Sequence, residues 1–290
     1  MVTRSSDGSI RDKYTARPVQ QFVKVQGLGN DFLVVEGDAA DLPQLRQRAP
    51  ALCNRRLGVG ADGILLVGPP STTDAVRTMW VINHDGSRPE MCGNGLRCVA
   101  LFVAAQVQRS TVTIDTDDGP KRCVVSPVPT ETPHAGMHAE VQVDMGSARH
   151  GEPTTPQSGD GRHFASVSMG NPHAIAFVGA DEDPEMLARR WGPGLEVDAA
   201  FPEGTNVEFA RVDGGSIVLW VWERGCGITD ACGTGACATA AAAVAQGLLA
   251  ADTAIVVQLP GGPLAITVGT DRTVRMRGAA TIVYRGELPR

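Results

Sequence analysis

Two cysteines in this chain sit in nearly the same surroundings. Asp230-Ala231-Cys232-Gly233-Thr234-Gly235-Ala236-Cys237 has a near copy far upstream, Glu90-Met91-Cys92-Gly93-Asn94-Gly95-Leu96-Arg97-Cys98. Each runs from Cys-Gly-polar-Gly into an apolar, helix-forming stretch, Val99–Ala105 and Ala238–Val244. That pattern predicts Cys92 and Cys232 at helix mouths, where unpaired backbone N–H groups and the positive end of the helix dipole favour a thiolate. Such positions bring a thiol from a pKa of about 8.5 towards or below neutrality. The adjoining glycine N–H groups can approach an anion closely, so each turn can hold a carboxylate beside its thiol. Two thiols facing one carbon form a two-base system. One removes a proton as thiolate, the other returns a proton to the opposite face, and the stereocentre inverts. The matching substrate is a small amino acid with an α-proton, its carboxylate bound at both helix mouths so that the carbanion is stabilised as it forms.

The elements that must position these thiols follow from hydrophobic periodicity. Gln21–Gln26 and Phe32–Val35 read as strands, with Asn30 and Asp31 on the loop between them, where turn chemistry alone accounts for both residues. Leu42–Leu57 reads as a helix. Gly58-Val59-Gly60-Ala61-Asp62-Gly63 precedes the strand Ile64–Val67, the wrong order for a phosphate loop. Strand Thr78–Ile82 delivers Asn83-His84-Asp85-Gly86-Ser87 and then the first cysteine turn, with a helix over 99–107. Strands follow near Thr111–Ile114, Arg122–Val125 and Ala139–Val143. A Gly/Pro-rich stretch from about Ser147 to Gly161 marks a domain boundary near its start. The plan then repeats: strand His163–Ser168, Met169-Gly170-Asn171-Pro172-His173, strand Ala174–Val178, helix Glu182–Trp191 and strands Thr205–Ala210 and Ser216–Trp222. The last of these empties into Glu223-Arg224-Gly225 and the second cysteine turn, with an Ala-rich helix over 237–249. Strands Ala254–Val257, Leu264–Val268 and Ala280–Tyr284 finish the chain.

Many short strands with one long helix per half indicate an α+β fold of two pseudo-symmetric domains. Each is a curled, largely antiparallel, barrel-like β-sheet wrapped around a central helix, with the active site in the cleft between them. The Ala run suits close packing of helix on sheet, although Ala is also simply the best helix former.

At 290 residues the chain is long enough for two cores. A net charge of −6 argues against nucleic acid or an anionic membrane surface as partner. No apolar run reaches the roughly 18 residues needed to span a bilayer. Residues 1–18 are polar, mixed in charge and without a secretory apolar core, and read as a disordered extension. Seven cysteines without a short, even spacing suit a reducing, cytoplasmic location. Cys92-x5-Cys98, Cys226-x5-Cys232 and Cys232-x4-Cys237 are not zinc knuckles, so no metal is expected. Cys53, Cys98, Cys123, Cys226 and Cys237 read as small, inert, buried hydrophobes.

In combination these motifs resemble the diaminopimelate epimerase family, the cofactor-independent amino-acid epimerases. The resemblance runs from about Phe22 to Tyr284. It rests on Gly27-Leu28-Gly29-Asn30-Asp31-Phe32, the Gly58–Gly63 run, Met91–Cys98, Met169–His173, Asn206-Val207-Glu208-Phe209, Glu223-Arg224-Gly225 and Ala231–Cys237. It implies that Cys92 and Cys232 are the acid/base pair, assisted by His173 and Glu223, with no cofactor. It further implies that Asn30, Asn83, Asn171, Asn206 and Arg224 bind the distal end of the substrate, while the backbone of Gly93-Asn94 and Gly233-Thr234 holds the reacting end. The family fold returns the last strand to the first domain, giving domains of 19–147 with 279–290, and 148–278, and the family often forms homodimers. Gly227-Ile228-Thr229 stands where Gly-Glu-Thr is common, Ala279 where Glu is common and Gln26 where His is common, which bears on substrate range. From the residues alone, His173 could merely satisfy backbone groups and Glu223-Arg224 could be a surface ion pair. A proline, hydroxyproline or histidine racemase on the same fold is the alternative enzyme. A thiol–disulfide oxidoreductase and a non-catalytic amino-acid binding protein are the readings from other classes.

Overall fold

In the computed structural model, which describes residues 19–89, 91–128 and 137–289, the alternating stretches join one continuous sixteen-stranded sheet. The extension expected over 1–18 lies outside the described residues. In the first half β1 (Val19–Gly27), β2 (Asn30–Glu36), β3 (Gly63–Gly68), β4 (Arg77–Asn83), β5 (Thr111–Thr116), β6 (Gly119–Pro127) and β7 (His138–Ser147) lie side by side in chain order. The second half contributes β8 (Arg149–His150), β9 (Ala165–Ser168), β10 (Pro172–Phe177), β11 (Asn206–Asp213), β12 (Ser216–Glu223), β13 (Gly227–Ile228), β14 (Ala254–Leu259) and β15 (Gly262–Val268). The last strand, β16 (Thr273–Pro289), serves both halves. Its first part pairs with β7 on one side and β15 on the other, and its second part pairs with β1. The first half therefore closes into an eight-stranded barrel, while the second hangs from the same strand in the order β16-β15-β14-β12-β11-β10-β9-β8.

Both halves use one sequence of connections. The hairpin β1–β2 is followed by the parallel pair β2–β3, the hairpin β3–β4 and the parallel pair β4–β5. The second half repeats this as β9–β10, β10–β11, β11–β12 and β12–β14. Parallel neighbours require a crossover, and each crossover here carries a helix. The helices are α1 (Leu42–Leu52) and α2 (Gly93–Val107) in the first half, α3 (Pro184–Glu196) and α4 (Gly233–Ala245) in the second. The two cysteine turns thus open the second crossover helix of each half, which is the structural meaning of the duplicated motif. Helices α2 and α4 are buried on all sides, as a helix apolar all round must be, and are lined by strands of their own half. Helices α1 and α3 instead cover separate small cores on the outer faces, around Leu45 and Ile64 and around Phe209 and Trp222. Among the described residues no helix is long and apolar enough to cross a membrane.

Several boundaries differ from expectation, each for a local reason. Asn30 and Asp31 are not on a loop. Leu28 and Gly29, with φ of 56° and 82°, close the β1–β2 hairpin by themselves, and Asn30 already pairs with Gly27. Helix α1 stops at Leu52 rather than Leu57, because the Asn54 side chain accepts the N–H groups of Arg56 and Leu57 and turns the chain, leaving Leu57 90% exposed. Helices α2 and α4 begin at Gly93 and Gly233, inside stretches whose glycines look like loop, and α4 ends at Ala245 rather than 249. Helix α3 runs past Gly192-Pro193-Gly194 to Glu196, since Gly192 packs directly on the Trp222 ring and Leu195 is buried. The strand expected from His163 begins at Ala165, with Phe164 making a lone bridge to Thr154. The last strand is far longer than the expected 280–284.

The packing and propensity explanations of the Ala-rich helix predict different outcomes for Ala240→Leu. Ala240 is 0% exposed, so the added carbons have to displace neighbours, and a loss of about 1–3 kcal/mol in a urea melt is expected. A change of only a few tenths, the difference in helix propensity, would show that close packing is not what the small side chains supply.

Candidate functional site

Cys92 and Cys232 occupy the N-cap positions of α2 and α4 in nearly the same extended conformation, with φ, ψ of −140°, 103° and −114°, 104°. Cys92 is half-buried and its Sγ accepts the Gly95 N–H at 3.4 Å; Cys232 is 4% exposed and its Sγ lies 3.7 Å from Thr234 Oγ1. The helix mouths meet. A Cβ on Gly93 would stand 3.5 Å from Gly233 Cα, in van der Waals contact, and 3.1 Å from Met276 Cε, so a side chain there would have to push Met276 aside. In front of them opens a cleft of about 420 Å³, lined by both cysteines and both turns, a size suited to a small molecule.

Asn30, Asn83, Gly93, Asn94, Asn171, Asn206, Glu223, Arg224, Gly233 and Thr234 all line this cleft. His173 does not: it is fully buried beneath it, on the strand behind Asn171. Asn30 is held by Asp62, which accepts its Nδ2 at 2.8 Å and is itself bound by Arg55 at 2.7 Å. This turns the Asn30 carbonyl towards Cys92 Sγ, 4.0 Å away, so it lies at the thiol end of the cleft. Asn94 donates to Ala231 O at 2.8 Å and to Asn30 Oδ1 at 3.2 Å, tying the first cysteine turn to the second. At the other end Asn206 donates to Pro172 O and accepts the Arg224 N–H. Arg224 donates to Glu203 O and makes no ion pair among the described residues, so its cation lines the cleft without a paired carboxylate. Sequence reasoning missed Asp62, His84, Thr229 and Asp230 as lining residues, and Glu208 and Arg97 beneath them. Asp62 and Glu208 lay inside quoted motifs, but only the fold shows which side chains they hold. Cys226, expected to be buried, is exposed and lines the cleft; Cys53, Cys98, Cys123 and Cys237 are buried as expected.

The electrostatics reverse one expectation. The surroundings of the two thiols raise them instead of acidifying them. Burial pushes Cys92 up to about 11, reinforced by the Glu223 carboxylate, while the Gly95 N–H and the Arg97 cation pull the other way. Burial together with Glu223 and Glu208 raises Cys232 well above the ordinary thiol range. Helix-mouth N–H groups therefore moderate the shift and do not dominate it, because removing a thiolate from water costs more than a few partial charges return. Burial also raises Glu223, against hydrogen bonds from Thr229 and Cys232. Below the cleft, His173 Nδ1 sits 2.6 Å from Glu208 Oε1 and its Nε2 lies 3.0 Å from Asn171 Oδ1. Both ring nitrogens are thus committed, and among the described residues the hydrogen-bonded route from His173 to the cleft runs through Asn171, whose Nδ2 lies 3.4 Å from Thr234 Oγ1. Burial raises Glu208, opposed by His173, and Glu208 Oε2 has no hydrogen-bond partner among the described residues.

A family profile described as diaminopimelate epimerase matches residues 22–151 and 165–283. The chain is 39% identical to the diaminopimelate epimerase of Desulfitobacterium hafniense over 289 residues, covering 92% of this chain and 98% of that one. It is 42% identical to that of Desulforudis audaxviator over 286 residues, again covering 92% and 98%. Among solved structures it is similar to a probable proline racemase from Agrobacterium radiobacter, with a TM-score of 0.70 at 15% identity over 93% of this chain and 92% of that one, a likeness of fold.

The raised thiols give a direct expectation for the reduced, ligand-free protein. Labelling of Cys92 by iodoacetamide, quantified by peptide mass spectrometry, should climb about tenfold per pH unit from pH 7 to beyond pH 9, following the thiolate fraction. A plateau near pH 7 would mean that the helix mouth outweighs burial after all.

Proposed function

The chain belongs to the diaminopimelate epimerase family, and on that premise we propose that Cys92 and Cys232 are its acid/base pair. It is an isomerase that interconverts LL- and meso-2,6-diaminopimelate, a step of lysine and peptidoglycan precursor synthesis. The observation that carries the proposal is that the two thiols cap equivalent helices of a repeated fold and open on one cleft.

In this reading the reacting carboxylate binds the N–H groups of Gly93-Asn94 and Gly233-Thr234. Two helix dipoles then face the carbon on which negative charge develops. The substrate ammonium brings a positive charge to thiols that burial holds neutral, favouring proton loss from one of them. That thiolate removes the α-proton, the opposite thiol protonates the other face, and the roles exchange in the reverse direction. Glu223, which acts on both thiols, biases which of them carries the proton. Arg224, with Asn83, Asn171 and Asn206, receives the distal carboxylate and ammonium, and the unpaired cation already in the cleft supports this. His173 serves as a positioning residue that orients Asn171.

We further assign the chain to the cytoplasm as a homodimer, with domains of 19–147 plus 279–290 and 148–278; support for these comes from the family resemblance. Sedimentation of the reduced protein at the mass of a single chain would remove the dimer.

The decisive assay runs reduced protein in D2O with LL-diaminopimelate, following α-deuterium and conversion to the meso isomer. Exchange and inversion are expected, with Cys92→Ser or Cys232→Ser lowering kcat by about 10²–10⁴-fold. Exchange with proline or hydroxyproline, and none with diaminopimelate, would keep the two-thiol chemistry and overturn the substrate. Arg224→Gln should weaken kcat/KM by about 10–100-fold, the loss of a charged hydrogen bond, while leaving Cys92 labelling at its parental rate. An unchanged kcat/KM would remove Arg224 from the site.

A further inference from the structure

Arg97 is 0% exposed, on the first turns of α2 directly behind Cys92, and no carboxylate pairs with it among the described residues. Its guanidinium donates from Nη2 to Asn94 Oδ1 at 2.9 Å, from Nε to Ala279 O at 3.3 Å and from Nη1 towards Met276 Sδ at 3.5 Å. The cradle is shaped for it. A Cβ on Gly27 of β1 would stand 3.2 Å from Nη2, and one on Gly278 of β16 would stand 3.3 Å from Nε. The ionisable groups that act on it are three thiols, Cys98, Cys92 and Cys237.

A buried cation without an anion is costly, and an apolar side chain of similar shape would commonly replace it without loss of stability. Two features show what it does here. By occupying Asn94 Oδ1 it fixes the amide so that Nδ2 points at Ala231 O, the residue before Cys232, and at Asn30 Oδ1 beside Cys92. It is also a buried positive charge outside the cleft lining that acts on Cys92. We propose that Arg97 is a positioning residue for the proton transfer. It holds Asn94 as the strut between the two cysteine turns, and it supplies the buried positive charge against which the Cys92 thiolate forms. The cation then gains a counter-ion each time that thiol ionises, and the strut keeps both thiols aimed at one carbon. The other charged or titratable groups around Cys92 are Glu223 at the end of β12, Cys98 on α2, Cys232 at the mouth of α4, and Asp62, His84, Arg224, Cys226 and Asp230 on the cleft wall.

The inference rests on Cys92 being an acid/base group, and the test separates the two. Full-length Arg97→Met and Arg97→Gln are compared with the parent by iodoacetamide labelling of Cys92 across pH, by diaminopimelate kinetics and by urea melts. The neutral variants should melt cooperatively while the midpoint of Cys92 labelling moves up by about one pH unit or more. Their kcat should fall about 100-fold with KM changed less than about threefold, since the loss falls on the transition state. Arg97→Lys keeps the charge but not the grip on Asn94, so it should restore the labelling midpoint and leave kcat reduced. If the neutral variants fail to fold, the Lys variant decides alone. A shifted midpoint or a parental kcat in that variant would overturn the proposal, as would a parental midpoint in a folded Met or Gln variant. Failure of the underlying reading looks different: Cys92→Ser would then keep its activity, whatever Arg97 does.

Discussion

Gly93 and Gly233 touch where the two halves meet, and the rest of the molecule is arranged so that they can. Helices α2 and α4 arrive mouth to mouth, and Met276 on β16 lies against both glycines; a Cβ on either would stand 3.1 Å from a Met276 side-chain atom. That contact sets where the two N-cap thiols open, and glycine at the first residue of each helix leaves room for it beside Met276. It also needs a strand common to both sheets, because a flexible linker between two separate barrels would not hold helix mouths in van der Waals contact. Strand β16 supplies it by pairing with β7, β15 and β1 along one unbroken length. The fold repeats its crossover pattern so that one strand–helix turn is presented twice, and the shared strand converts two copies into one site.

The second constraint is electrostatic. The helix mouths offer partial positive charge, yet the same packing that brings them together takes the thiols out of water, and desolvation prevails. Around them stand groups of both signs: Glu223 against both thiols, Arg97 behind Cys92, and the Glu208–His173 pair beneath Cys232. A symmetric backbone carries an asymmetric set of charges. Asn94 is tied to Arg97, whereas its counterpart Thr234 lies near Cys232 and Asn171. The two cysteine turns therefore present similar thiols with different supporting groups.

How much of this was legible in the chain can be followed residue by residue. The paired Cys-Gly-polar-Gly turns, the strand periodicity and the polar residues of the cleft could all be read, because capping, alternation and side-chain chemistry are local properties. Local reading failed where packing or a turn of unusual geometry intervened. Leu28, a poor candidate for a left-handed conformation, takes one and moves Asn30 into a strand; Gly192 lets α3 run on because Trp222 covers it; Cys226 is exposed because β12 ends beside the cleft. The sequence by itself determined that two thiols would stand at the mouths of two apolar helices, and its motifs resembled those of amino-acid epimerases. Only the tertiary structure decided that the mouths abut, that His173 is buried against Glu208 instead of facing the cleft, and that the thiols are raised instead of acidified. Burial and distance between residues remote in the chain are set by the packing of the whole sheet, and no local pattern records them.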